Sequence, residues 1–515
     1  MKKELKREIE IFTLPNCLVS YRYKEMKFFR GAAFLLANSI KELGLQNIEK
    51  VLGRWTKEFL PYSKKNVFKR LINPSFIRRR LLKLVLRESL HNEQIQRVIG
   101  GEAPISYAGD ATLKIRKKAL AASLEFLMTK SIPTPNGVKQ LIELTMDSRK
   151  RFSELYVMCL GMQELATDLG YKALFLTITA PARFHSNPSD GHNSWNRSYA
   201  KQSHAYINKK WEAFGKDLSS CTNKIYKSKG DIFGFRVVEP HRDGTAHWHV
   251  LLYVSPKNLD KTISLCHKHF SHSAKALKLD VIRTKKEDPK AAAPTTYMTK
   301  YLVKTVAVKQ YIKDIKTDGE RAPENDAMER IDAWRCATGI RAYQKFGILA
   351  GVTKWRFLRK IYKAFHEGNT LLKDNPETDL ANRMNQFNFS GKFILAMRQT
   401  NTKLFKSNST NEKRAFTDFL ISIKNIESEF KAGDIYFKEK YKNKYNEECN
   451  KTVGVVLGKK ILLLNNSNYA KQLDNSTKIT LKESVLNKFK NVYQPKVREL
   501  NTIVQEGNTI YTNSS

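Results

Sequence analysis

Two histidines one residue apart, His247-Trp248-His249, have types and spacing that invite chemistry. Side chains alternate across a strand, so an extended segment projects both imidazoles from one face while Trp248 packs on the other. Imidazoles in that arrangement can converge on one cation. Glu239 stands eight residues before His247, and Asp243-Gly244 between them supplies a tight turn, which makes this a hairpin with Glu239 on the partner strand. A His, His, Glu set with open positions suits a divalent metal that must also hold a substrate oxygen. Taken alone, His-x-His on a strand could equally be a solvated face. The carboxylate across the turn favours the metal.

A second group lies downstream, in Thr296-Tyr-Met-Thr-Lys-Tyr-Leu-Val-Lys-Thr-Val. On a helix, Tyr297 and Tyr301 are at i and i+4 and share a face, with Lys304 one turn on. Met298, Leu302 and Val306 form the opposite stripe and should face the core, leaving both phenols exposed. Alone, such tyrosines would pass for the edge of an amphipathic helix. Together with the histidines they define a reaction. A phenol is a poor nucleophile near neutral pH, with a pKa of about 10. It can attack a phosphodiester if a metal polarises the non-bridging oxygens and nearby cations such as Lys300 and Lys304 stabilise the developing charge. The product would be a tyrosyl-phosphate ester and a free hydroxyl on the other DNA end, with enough bond energy kept to rejoin strands.

These residues need elements to position them. Strand-like runs occur at 173–179, 233–239, 247–254 and 279–284, alternating with helical segments, which predicts an α+β domain with an antiparallel sheet flanked by helices. Residues 1–165 are rich in Leu, Lys, Arg and Glu and read as a basic helical region, as in Ser75-Phe-Ile-Arg-Arg-Arg-Leu-Leu-Lys-Leu-Val-Leu-Arg. The expected nuclease domain then spans 166–312. Residues 313–370 read as a helical extension carrying Trp334 and Trp355 in its core. Residues 371–515 form a mixed Lys- and Asn-rich region whose last forty residues, polar and without periodicity, are expected to be disordered.

The 515 residues carry 91 Lys and Arg against 50 Asp and Glu, a net charge of +41. Like charges repel in a compact chain, so this excess concerns partners, and nucleic acid is the expected one. The start, Met1-Lys-Lys-Glu-Leu-Lys-Arg-Glu, is not a secretory signal, and no long apolar run suggests a bilayer span. The six cysteines are scattered without a Cys-x-x-Cys pair, as free thiols in a reducing cytoplasm would be.

With these motifs in hand, the chain resembles the HUH nucleases and, within them, the phage replication gene A protein family of rolling-circle initiators. The resemblance rests on Phe175-Leu-Thr-Ile-Thr-Ala-Pro-Ala-Arg-Phe-His, on the Glu-Pro-His-x-Asp-Gly-Thr-x-His-Trp-His block at 239–249, and on Tyr-x-x-x-Tyr at 297–301. Ala333-Trp, Gly339-Ile-Arg-Ala-Tyr-Gln and Val352-Thr-Lys-Trp-Arg-Phe-Leu-Arg are similar to the family's later blocks, and Ile105-Ser-Tyr-Ala-Gly-Asp is a faint echo of an earlier one. The resemblance implies metal ligands at His247 and His249, with Glu239 as a third, and nucleophiles at Tyr297 and Tyr301. It further implies Mg²⁺ or Mn²⁺, single-stranded or supercoiled origin DNA as substrate, host helicase and polymerase as partners, and the bacterial cytoplasm as location. Ala246 stands where proline is expected, Phe357 where glutamate is frequent, and Thr305 where asparagine is usual; none of these removes a reacting group.

Other residues weigh less. Arg183 and His185 could touch the DNA backbone or brace the sheet. His267, His269 and His272 beside Cys266 lack a second ligand pair and read as a solvated or DNA-facing helix rather than a zinc site. The competing functions are a conjugative relaxase or transposase of the two-tyrosine type, and a non-catalytic DNA-binding protein with a vestigial site. Retention of all five site residues argues against the latter.

Overall fold

A computed structural model describes residues 26–60, 66–134, 137–145, 148–221, 232–283, 288, 290–306, 326–348, 351–400 and 410–464, and over them the protein is α+β. Close contacts group the chain into two compact units. One comprises Met1–Trp355, Thr402–Lys424 and Lys442–Glu448, the other Arg356–Asn401, Asn425–Tyr441 and Cys449–Ser515.

In the first unit, a small hairpin pairs β1 (Ser131–Thr134) with β2 (Gly137–Gln140). Five further strands make the main sheet: β3 (Lys172–Thr179), β4 (Ile232–Pro240), β5 (Ala246–Val254), β6 (Leu277–Ile282) and β7 (Tyr343–Phe346). Their order is β6-β3-β5-β4-β7, and every pairing is antiparallel. The four strand runs read from sequence all form. A strand at β7 was not expected, because residues 313–370 read as helical. Helix Ala327–Thr338 ends at Gly339, whose φ of +62° breaks the helix, and the chain then runs extended along the edge of β4.

Apolar side chains of β3, β4 and β5 pointing one way, including Leu174, Leu176, Ile178, Val238, Trp248 and Val250, are all buried in one core. Helices Ala200–Cys221 and Leu259–Phe270 contribute Ile207, Phe214, Leu265 and Phe270 to the same core, and Trp211 packs against it. Fully burying one such side chain stabilises the fold by about 1.5–3 kcal/mol. The opposite face of the sheet is covered by the helix Pro294–Val306, which packs in turn on the helix Ser148–Asp168. Thr295 fastens these two helices, its backbone N–H donating to Gln163 Oε1 at 3.0 Å.

The basic helix read near residue 75 runs from Pro74 to Ile95. Proline occupies its first turn and the Asn73 side chain caps it, accepting from Phe76 N at 3.1 Å. It buries Phe76, Ile77, Leu81, Leu84 and Val85 and packs on the helices Met26–Leu43 and Ala327–Thr338. Trp334 and Trp355 are both 1% exposed, as expected of core residues.

The second unit has its own antiparallel sheet, β8-β11-β10-β9, made of β8 (Thr370–Asp374), β9 (Tyr436–Lys442), β10 (Glu448–Leu457) and β11 (Lys460–Leu464). The last forty residues, expected to be disordered, lie outside the described residues, as does Thr284 at the end of one expected strand.

Candidate metal and tyrosine site

The register of the sheet assembles the site. Glu239 on β4 pairs directly with His247 on β5, and on the other side Thr179 and Thr177 of β3 pair with His247 and His249. Residues opposite one another in a sheet share a face, so all five side chains project the same way. Glu239, His247 and His249 each offer a ligand atom, and these atoms lie within 4.8 Å of one another. The two histidine Nε2 atoms are 2.8 Å apart, and His249 Nε2 is 3.6 Å from Glu239 Oε2. Nitrogens bound at about 2.1 Å to one ion and at right angles would lie about 3 Å apart, so the spacing fits a shared cation. The remaining polar atoms point to the same conclusion. Glu239 Oε1 is buried with no hydrogen-bond partner, a costly state that a cation would relieve.

His249 is steadied from behind by the Thr177 hydroxyl, 3.2 Å from its Nδ1. Burial holds the pKa of His249 below the ordinary histidine value, against the pull of Glu239, and Lys304 and Lys300 add to the depression. Burial, then His241 and His249, hold His247 well below it. Both imidazoles are therefore neutral at pH 7, the form that offers a lone pair to a metal.

The hairpin turn is longer than the tight turn read from sequence. Five residues, His241 to Thr245, separate the strands, closed by His241 N–H donating to Thr245 O at 2.7 Å. The Asp243 side chain occupies the interior of the loop, accepting from Thr245 N at 3.0 Å and lying 3.3 Å from His185 Nδ1, so turning the chain takes more than two residues. Gly244 has φ +81°, and its carbonyl accepts from Trp334 Nε1 at 2.7 Å. Arg242 ties the turn to the segment around Ile105, donating to the carbonyls of Gly101 and Ala103 and to the Ser106 hydroxyl. The His241 ring lies at a tilt against His247 with centroids 4.1 Å apart, and burial, aided by His185, lowers its pKa to about 4. Sequence reading gave no role to Thr177, His241 or Arg242, and to Asp243 only that of a turn residue. The alternation of β3 was the one available signal, and only for Thr177.

The tyrosine helix Pro294–Val306 lies across this face and touches β3, β4 and β5. Met298 and Leu302 are fully buried, as their stripe predicts, whereas the side chain of Val306 lies outside the described residues. The two phenols, both expected to be exposed, differ. Tyr297 is 38% exposed, but Tyr301 is only 9% exposed, because its ring stacks on His249 at 3.6 Å between centroids and 18° between planes. Phe175, on the same face of β3, stacks against Tyr301 and lies at a tilt to Tyr297. Lys304 Nζ is 3.9 Å from Glu239 Oε2, and Lys300 Nζ lies 5.0 Å over the Tyr301 ring. The structure thus brings Tyr297, Tyr301, Lys300, Lys304, Glu239, His247 and His249 together.

Arg183 lies exposed in a short turn after β3, its guanidinium over the rings of Phe184 and Tyr206. His185, unlike Arg183, is braced against Asp243. His267 is exposed and His269 pairs with Asp217 at 2.9 Å; neither belongs to a metal-ligand cluster among the described residues.

The family model described as bacteriophage replication gene A protein (GPA) matches residues 52–309, which include every one of these site residues. The replication protein of Haemophilus phage HP1 is 29% identical over 272 residues, 50% of this chain and 33% of that protein. A probable replication protein P12 of Pseudoalteromonas phage PM2 is 32% identical over 212 residues, 40% of this chain and 32% of the relative. A probable replication endonuclease from a prophage-like region of Salmonella typhimurium is 27% identical over 246 residues, 44% of this chain and 29% of the relative. The chain therefore spans about a third of the length of the curated relatives it matches. No solved structure matches.

Proposed function

The chain belongs to the bacteriophage replication gene A protein family, and on that footing we propose that it is a replication endonuclease that nicks one DNA strand by tyrosine transesterification. In this reading the phenol oxygen of Tyr301 or Tyr297 attacks a backbone phosphorus. A P–O(Tyr) bond forms and the P–O3′ bond breaks, leaving a 5′-phosphotyrosine ester. The phenol loses its proton and the departing 3′ oxygen gains one, so the products are an enzyme-linked strand and a free 3′-hydroxyl. That hydroxyl would prime a polymerase while a helicase unwinds the duplex, which is how the expected host partners enter.

The observation that carries the reading is the stack of Tyr301 on His249, which sets a phenol-bearing helix directly on the His, His, Glu cluster. Glu239, His247 and His249 would hold a divalent ion, Mg²⁺ or Mn²⁺ by its expected chemistry. Such an ion supplies charge that polarises the phosphate. Lys300 and Lys304, beside the Tyr301 ring, would offset negative charge that develops at the reacting phosphate. Phe175 and Thr177 hold the tyrosines and His249 in place. A second phenol one turn away lets the enzyme cut again while still joined to the first strand end. Because its ring lies on His249, Tyr301 takes the larger share of first cleavage in this reading.

The test is adduct formation on single-stranded oligonucleotides tiled across the DNA flanking the gene, with Mg²⁺ or Mn²⁺. Tyr301→Phe should lose most of the adduct, Tyr297→Phe less, and the double variant all of it. Phenylalanine keeps the ring and the helix packing, so loss reports the missing hydroxyl. A phosphotyrosine mapped only outside 297–301 would overturn the mechanism.

A further inference from the structure

Far along the sequence from the tyrosines, but in the same compact unit, five cations line one pocket of about 340 Å³. Arg80, Lys83 and Arg87 recur at three- and four-residue intervals on the helix Pro74–Ile95 and so share a face. Lys57 and Lys201 join them from the segment Thr56–Phe59 and from the first turn of the helix Ala200–Cys221. The pocket has one acidic residue, Glu58, and Arg87 engages it at 3.1 Å while also pairing with Glu88 at 2.8 Å. Among the described residues, Lys57, Arg80, Lys83 and Lys201 have no ion-pair partner.

Gathering like charges is unfavourable unless an anion joins them. Burial, then Lys201, Arg80 and Arg87, hold Lys83 below the ordinary lysine value, as expected of uncompensated positive charge. A structural role explains part of this. Lys83 Nζ lies where a side chain on Gly339 would meet it, at the negative end of the helix Ala327–Thr338. A cation there gains about 0.3–1 kcal/mol. Arg80 likewise has a structural contact, its guanidinium lying 5.3 Å over the Phe76 ring; neither contact gives Lys57 and Lys201 a reason to converge on them.

We propose that this pocket is a phosphate-ester site, separate from the reaction centre, which holds a backbone phosphate of the bound DNA strand. A volume of this size takes a phosphate with its sugar, near the lower end of ligand pockets at about 300–1,000 Å³. The helix links the two sites. From Lys83 to Gln94 is a rise of about 16 Å at 1.5 Å per residue, and Gln94 Nε2 donates to Asp243 O at 2.9 Å in the turn that precedes His247. At about 3.4 Å per nucleotide along one strand, that rise is about five nucleotides, within the about 4–16 that single-strand-binding folds track. The identity of the ligand as a DNA strand rests on the function proposed above; the geometry of the pocket does not.

The test is fluorescence anisotropy of the full chain with a long single-stranded oligonucleotide and one of a few nucleotides, across a salt titration without divalent metal. Lys83→Met, Arg80→Gln and the double variant are compared with Lys261→Met, an exposed lysine elsewhere that controls for net charge. The double variant should bind the long oligonucleotide about tenfold more weakly, with a salt slope lower by about 0.7 for each lost phosphate contact. The short oligonucleotide and the circular dichroism spectrum should be unaffected. Unchanged affinity and slope in a folded double variant would overturn the proposal, as would an equal loss in Lys261→Met. Loss of ATP binding with oligonucleotide binding intact would also overturn it, since the ligand would then be a free nucleotide. Anisotropy needs no cleavage. A chain that binds through this pocket but forms no adduct fails the catalytic reading alone, and one that forms adduct without pocket dependence fails this one alone.

Discussion

The five-stranded sheet of the first unit encloses Glu239 and His249 on one face with His247 beside them, whereas the four-stranded sheet of the second unit buries Val453, Val455, Leu462 and Leu463. Both sheets are antiparallel, and each buries its central strands. They differ in what burial achieves. Aliphatic side chains gain from leaving water, while Glu239 Oε1, His247 Nδ1 and His241 Nε2 sit buried with no hydrogen-bond partner. A fold does not gain stability by such burial; in the proposed reading the first sheet would hold this cluster for chemistry, whereas the second, apart from Thr370 Oγ1, buries mainly aliphatic side chains for packing.

That contrast can be broken most sharply at the histidines. His247→Ala and His249→Ala should each lower adduct formation by about 10²–10³-fold, the scale of one group in a preorganised electrostatic site, without lowering the melting temperature. Glu239→Ala should act in the same direction but more mildly, since two ligands remain. Undiminished cleavage by the double histidine variant in chelator would remove the metal from the account. Leu462→Ala, in the second sheet, should do the opposite. It should cost about 2–5 kcal/mol of stability in denaturant unfolding and leave the adduct yield per folded molecule unchanged. Equal damage to both readouts would dissolve the distinction between the sheets.

A smaller effect sharpens the comparison on the packed side of the first sheet. The neutral Nδ1 of His204 accepts from Trp248 Nε1 at 3.0 Å, and burial, then Arg236 and Lys201, lower its pKa to about 4. The unfolded state therefore binds a proton at higher pH than the folded one. The stabilisation is complete above the unfolded value of about 6.5 and is lost as pH falls from there toward about 4, at most about 3 kcal/mol. Thermal melts between pH 7 and pH 4 should show the loss, and His204→Gln, whose amide oxygen can accept the same bond without titrating, should flatten it. An identical pH slope in the variant would clear His204 of the role.

Much of the candidate site was legible because it rests on local periods. His247 and His249 share a face wherever the segment is extended, and Tyr297 and Tyr301 share one wherever theirs is helical. Glu239 was within reach because a hairpin joins neighbouring strands, although the turn proved to be five residues long. The edge strand β7 was misread as helix because four residues, Tyr343-Gln-Lys-Phe, are too few to show a period of their own, and its strand character comes from pairing with β4. The exposure expected of both phenols failed for Tyr301 because helical spacing says which side they share, not what packs there. His249 and Phe175 cover Tyr301 and leave Tyr297 in solvent.

The sequence by itself determined the residue types, their shared faces and the +41 charge, on which the proposed reaction class and anionic partner rest. Only the tertiary structure decided that Thr177 stands behind His249, 72 residues away, that Trp334 caps Gly244, 90 residues away, and that Lys57, Arg80, Lys83, Arg87 and Lys201 meet in one pocket. The physical reason is range. Backbone sterics and side-chain period act over a few residues, whereas which strands pair, and in what register, is settled by burial of apolar surface across the whole unit.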